Sequence, residues 1–157
     1  MHLRPVLTTA ATCGALLALG GCASVVPVIV APYATDPTCA SVVLALPTSL
    51  GEGLDRVDTD AQATAAWGDP RAAVVLRCGV EPLGPTTERC QSVETPQGPT
   101  IDWVVVEQDG RWTFTTYGRV PAVELTVPQA VTAQRSTSFV DLLGPAVAIA
   151  EQQRRCL

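Results

Sequence analysis

The chain has 157 residues, enough for one domain with a proper core, and carries a net charge of −5. All ten of its basic residues are Arg, and they form no basic run, so nucleic acid is not expected as a partner, because phosphate neutralisation supplies most of that affinity. The single histidine, His2, lies in the N-terminal stretch. The rest of the chain has neither His nor Lys, which removes Ser-His-Asp, Cys-His and Ser-Lys catalysis, Schiff-base chemistry and His-ligated zinc, and leaves Asp/Glu, Tyr and Cys chemistry.

Residues 1–21 read as a targeting segment: Arg4 and the amino terminus are positive, Pro5–Leu19 is mostly apolar, and Leu19-Gly20-Gly21-Cys22 resembles a bacterial lipobox. In such signals the Cys is lipidated, palmitate among its acyl chains, and becomes the first mature residue. This predicts a lipoprotein anchored through Cys22 on the extracytoplasmic face of the cell membrane. The alternatives are an uncleaved membrane helix from about Val6 to Ala31 and ordinary cleaved secretion. Residues 22–36 then form a tether, with Ser24–Ala31 as a possible edge strand confined there by Pro27. Residues 37–157 are expected to form a single domain.

Asp36 is a good N-cap and Pro37 suits a first helical turn; the helix 37–46 would bury Cys39, Val42, Val43 and Leu46 on one face. Residues 47–66 are polar and weakly patterned, expected as a long excursion with a helical turn near 60–66. Trp67-Gly68-Asp69-Pro70 makes a turn into an apolar strand ending Arg77-Cys78-Gly79, expected to be the central strand. Trp67 is expected in the core.

Residues 101–118 give the clearest local signal. Asp109-Gly110 suits a two-residue hairpin turn, since both positions need positive φ. That register opposes Gln108 to Arg111 and Asp102 to Tyr117. It places Ile101, Trp103, Val105, Trp112 and Phe114 on the core face, and puts Asp102, Val104, Val106, Thr113, Thr115 and Tyr117 on the other, with Arg119 pointing the same way. Ala122–Val127, between prolines, is a further strand. A last helix is expected from Ser138, with Asp141 completing a capping box, a kink at Gly144-Pro145, and an end near Arg155.

Beyond Cys13 and Cys22, four cysteines remain. An even number in an exported domain reads as two disulfides, with three connectivities possible; Cys78–Cys90 and Cys39–Cys156 are the expected pairs. Without a C-x-x-C pair, a four-Cys metal site is not expected, and no cofactor is implied.

The segments W-G-D-P, V-L-R-C-G-V, D-W and T-T-Y-G-R-V-P-A-V and the closing Cys resemble an actinobacterial family of exported proteins of unknown function, DUF3515, from about Cys39 to Cys156. The family's usual G-V-D-W reads Thr100-Ile101-Asp102-Trp103 here. The resemblance implies an envelope protein and supplies no catalytic residue.

Together these readings predict an α+β fold with four or five antiparallel strands, helices on one face and a central Asp-Gly hairpin. One polar constellation emerges: Asp102, Tyr117 and Arg119, with Arg77 and Asp69 flanking. It would serve as a structural ion-pair network, or as a clamp for a carboxylate or phosphate. The function expected is a non-enzymatic, lipid-anchored module binding an envelope protein or cell-wall ligand. The competing expectation is a small enzyme or ligand carrier acting on a cell-wall component through Asp102, Tyr117 and Arg119.

Overall fold

The computed structural model describes residues 24–96 and 98–157. Cys22 and the targeting segment lie outside the described residues. In chain order the elements are α1 (Pro37–Ala45), β1 (Arg56–Val57), β2 (Thr64–Trp67), β3 (Val74–Val80), β4 (Arg89–Thr95), β5 (Gly98–Gln108), β6 (Arg111–Thr116), β7 (Arg119–Val120), β8 (Ala122–Val127) and α2 (Gln129–Thr132). A 3₁₀ helix (Ser138–Leu143), α3 (Gly144–Val147) and β9 (Glu151–Gln152) close the chain. Seven strands form one antiparallel sheet in the order β1-β2-β3-β8-β6-β5-β4, and β7 pairs with β9 separately. The molecule is mostly sheet; its longest helix has nine residues, so the α+β expectation holds only loosely.

The hairpin forms in the expected register, with Gln108 opposite Arg111 and Trp103 opposite Thr116, and Asp109 and Gly110 both take positive φ (53° and 73°). Strand β8 spans the expected residues, with Val123, Leu125 and Val127 fully buried. It is β8, not β3, that occupies the middle of the sheet, because β3 pairs with β8 rather than with the strand that follows it.

Alternation along the strands gives the sheet two different faces. The core face carries Trp67, Val74, Leu76, Cys78, Trp103, Phe114 and Leu125, all buried against α1, α3 and the 3₁₀ helix. Asp36 caps α1 by accepting from Thr38 N at 2.8 Å, and Cys39, Val42 and Leu46 turn inward as the helical spacing predicts. Trp67 donates Nε1 to Pro47 O (3.0 Å), and Trp103 meets Phe114 edge to face at 6.3 Å. Trp112 is half-buried and stacks on Phe114.

Four local expectations are corrected. Ser24–Ala31 is not a strand; it makes one isolated bridge, Val26 to Thr59. The turn expected near 60–66 gives way to β2, all four of whose residues are buried, so pairing with β3 outweighs the weak helical preference. The capping box at Ser138 does not form; Thr137 sits at the N-cap position and the segment winds as a 3₁₀ helix. The terminal helix ends at Val147, and Glu151–Gln152 pairs with β7 instead.

Candidate functional site

The disulfides are Cys39–Cys78 and Cys90–Cys156, with Cα atoms 5.5 and 5.8 Å apart. The expected pairs Cys78–Cys90 and Cys39–Cys156 are therefore wrong, and the sheet order explains why. The stretch after Val80, carrying Pro82, Gly84 and Pro85, does not return as a hairpin; it carries the chain to the far edge of the sheet. Four strand spacings separate β3 from β4, about 19 Å, and a disulfide needs Cα atoms within about 7 Å. Cys78 also faces the core and Cys90 the opposite side, since Cys78 opposes Val123 and Cys90 opposes Val104. Cys39 on α1 lies directly over Cys78 on the core face, and both are fully buried. Two disulfides suggest an oxidising, extracytoplasmic setting.

The second face of the sheet carries the polar groups. Asp102 and Tyr117 lie opposite each other as the register requires, with Tyr117 N donating to Asp102 O at 2.8 Å. Arg119 comes to the same end of the sheet, one turn later at β7. The Asp102 carboxylate is 5% exposed and accepts three bonds: Ser92 Oγ at 2.6 Å, Cys156 N at 3.0 Å and Gln152 Nε2 at 3.3 Å. All three come from its own chain, two of them from the C-terminal tail. Gly118 O accepts from Gln153 N and Arg154 N and fixes the same tail one step along.

Arg119 is 3% exposed and donates Nη1 to Ala150 O at 2.6 Å; its Nε is buried without a partner. It forms no ion pair with Asp102. Burial pushes the Arg119 guanidinium below its ordinary range, the Asp102 charge pulls it back up, and the Arg155 charge adds to the fall. The Tyr117 ring is half-buried and lines an open cleft with Cys90, Arg155 and Cys156. Asp102 lines another, of about 350 Å³, beside Ser92, Gln152 and Arg155.

The two flanking residues stand apart from this cluster. Arg77 donates Nε and Nη2 to Glu124 Oε1, at 3.2 and 2.7 Å, and Nη1 to Ile29 O. Asp69 pairs with Arg71 in the turn before β3, and the hydrogen bonds from Arg71, side chain first and backbone next, hold its carboxyl below the usual range. Ser92, Gln152 and the Cys156 amide were not foreseen as partners of Asp102, nor Glu124 as the partner of Arg77. Glu124 left a trace in the sequence: it is the one charged residue of its strand, in the polar phase with Thr126.

Chemically, the arrangement ties down the C-terminal tail. Both carboxylate oxygens of Asp102 accept hydrogen bonds from the chain itself, Oδ1 from Ser92 and Oδ2 from Gln152 and the Cys156 amide. Among the described residues, no group of three or more His, Cys, Asp or Glu side chains is placed to hold a metal, and no helix is long and apolar enough to cross a membrane.

Residues 6–156 match the family model described as protein of unknown function (DUF3515), a span that also takes in most of the apolar N-terminal stretch. No curated protein and no solved structure matches the chain. With nearly its whole length covered, the chain belongs to the DUF3515 family.

Proposed function

We propose that the protein is held on the outer face of the cell membrane by a lipid on Cys22, and that its folded domain is a binding or assembly module rather than an enzyme. The observation that carries the reading is the use of Asp102, the best-placed carboxylate, as an internal pin for the tail. The Leu19-Gly20-Gly21-Cys22 sequence supports the anchor, and the two disulfides support the compartment. Several acyl chains on one Cys anchor firmly, each buried CH₂ contributing roughly 0.8 kcal/mol.

Metabolic labelling with an alkynyl fatty acid tests the anchor. Wild type is expected to be labelled and to sediment with membranes, and Cys22→Ala to lose the label. An unlabelled membrane protein whose intact mass retains residues 1–21 would replace the lipid with an uncleaved helix. Crosslinking in cells followed by pull-down tests the module: an envelope protein or cell-wall fragment is expected to be captured with wild type. Turnover of a cell-wall fragment by the purified domain, abolished in Arg119→Met with folding intact, would overturn the non-enzymatic reading in favour of an enzyme or carrier working through Asp102, Tyr117 and Arg119.

A further inference from the structure

The N-terminal strip of the described chain holds apolar side chains out to solvent on a backbone that is itself tied down. Val26 N donates to Asp58 O (2.8 Å) and Val28 N to Asp60 Oδ1 (2.8 Å); Ile29 O accepts from Arg77, and Tyr33 N donates to Gly79 O (2.8 Å). Between these ties Val26, Ala31 and Ala34 are buried, Ala31 and Ala34 against Val80 and Ala122. Their neighbours point outward: Ile29 is 81% exposed, Val30 54%, Tyr33 48% and Val25 47%. Exposed Val120 shares with Tyr33 a cleft of about 280 Å³ walled by Val80, Pro82 and Pro121 and also lined by the carboxylates Asp36 and Glu81. Single exposed apolar residues are ordinary; four within nine residues, on a backbone hydrogen-bonded to the domain, call for an explanation.

We propose that this strip is the surface by which the domain lies down on the lipid bilayer, an inference that rests on the membrane anchoring above. Position argues for lipid as the occupant. Cys22 stands two residues before Ser24, so at most about 7 Å of extended chain separates the anchor from the first described residue. An acylated Cys22, or an uncleaved helix ending there, delivers Val25 to the headgroup boundary. Insertion of the strip is then an intramolecular event, and side chains too few to recruit a free protein suffice to orient a tethered one.

The chemistry fits the same place. Residues 25–34 contain no charged side chain. Ile29, Val30 and Val25 offer aliphatic surface to the acyl boundary, and Tyr33 offers a ring with a polar tip, the amphipathic combination favoured at membrane interfaces. Its hydroxyl already donates to Glu81 Oε2 at 2.9 Å, which places the carboxylate beside the polar end of the ring.

The test uses the full chain, reconstituted through its own anchor into phosphatidylcholine–phosphatidylglycerol vesicles whose acyl chains carry bromine. Two variants receive an added indole: Ile29→Trp on the strip, and Leu44→Trp on the solvent side of α1, where Leu44 is also exposed. Wild type supplies the background of Trp67, Trp103 and Trp112. Docking predicts that bromine quenches the Ile29→Trp emission several-fold more than the Leu44→Trp emission. Flotation with the vesicles but equal, weak quenching in both variants would overturn docking while leaving anchoring intact. Blue-shifted Ile29→Trp emission without quenching would overturn it by assigning the strip to a second copy of the chain. Failure of every protein to float would remove the anchoring reading and this inference with it.

Discussion

The two faces of the sheet solve the same problem by different means. The core face is covered by helices and held by burial: Trp67, Trp103, Leu76, Leu125 and Val127 lose all contact with water beneath α1, α3 and the 3₁₀ helix. The second face is crossed by strips of chain with little regular structure, and directed polar bonds fasten them. Arg77, already paired with Glu124, holds the N-terminal strip through Ile29 O, and Asp102 holds the C-terminal tail through Cys156 N and Gln152. Each face also has one disulfide, buried on the first and half-buried on the second. Burial without direction suffices for a helix that brings its own internal hydrogen bonds; an irregular strip must find partners for its backbone as well, and charged side chains supply them.

Removing the disulfides separates the faces most strongly. Their sequence separations, 39 and 66 residues, give similar loop-closure contributions of about 4 kcal/mol each. Replacing Cys39 and Cys78 together by Ala should cost more than replacing Cys90 and Cys156, by about 1 kcal/mol or more, because the buried pair also fills core volume. Urea denaturation of the two double variants measures this, and equal losses would dissolve the distinction. Asp102→Ala comes next, at about 2–3 kcal/mol, since it strands three donors. Amide exchange should quicken first at Cys156, and uniform exchange across the sheet would show that the carboxylate serves more than the tail.

Arg77→Met is expected to be milder, about 1–2 kcal/mol, because the pair is only partly buried and the aliphatic stem remains. A double-mutant cycle with Glu124→Gln should return a coupling free energy, and a zero coupling would reduce Arg77 to packing. The smallest effect is spectroscopic. The hydrogen bond to Glu81, and then that carboxylate's charge, raise the Tyr33 pKa above its ordinary 10.0. The neutral phenol is the form the fold favours, so its contribution is intact below the usual tyrosine range and fades as pH rises through the raised value. An ultraviolet titration should show Tyr33 ionising late, and Glu81→Gln should bring it back.

How much of this could be read from residues alone follows the distance over which each signal acts. The Asp109-Gly110 turn, the alternation of β8 and the Asp36 cap are decided within a few residues, and each appears where the local chemistry puts it. The opposition of Asp102 and Tyr117 follows from the turn by counting. Topology was not legible: nothing near Gly79 or Arg89 announces that the intervening segment crosses to the far edge, so a short loop between two cysteines looks like a closed one. Glu151–Gln152 was misread for the same reason, since its partner β7 lies more than thirty residues earlier. The cluster was half legible: Asp102 and Arg119 do share one end of the sheet, but the tail that occupies them comes from beyond the reach of any strand register.

Gly79 gives one further measure of how tightly the N-terminal strip is seated. It sits at the irregularity between Cys78 and Val80 with φ of 86°, and a side chain there would drive into the backbone of Tyr33 and Ala34. Only a residue without a Cβ lets the strip lie this close to β3.

The sheet is closed where β3 meets β8, a junction between residues about fifty positions apart, such as Val75 and Thr126. Neither covalent bridge spans that junction. Among the described residues each cysteine instead joins the next one along the chain, 39 with 78 and 90 with 156, so each bridge closes within one half of the sheet. Joining the two halves along that seam is left to non-covalent forces, the backbone pairing of β3 with β8 and the side chains it buries.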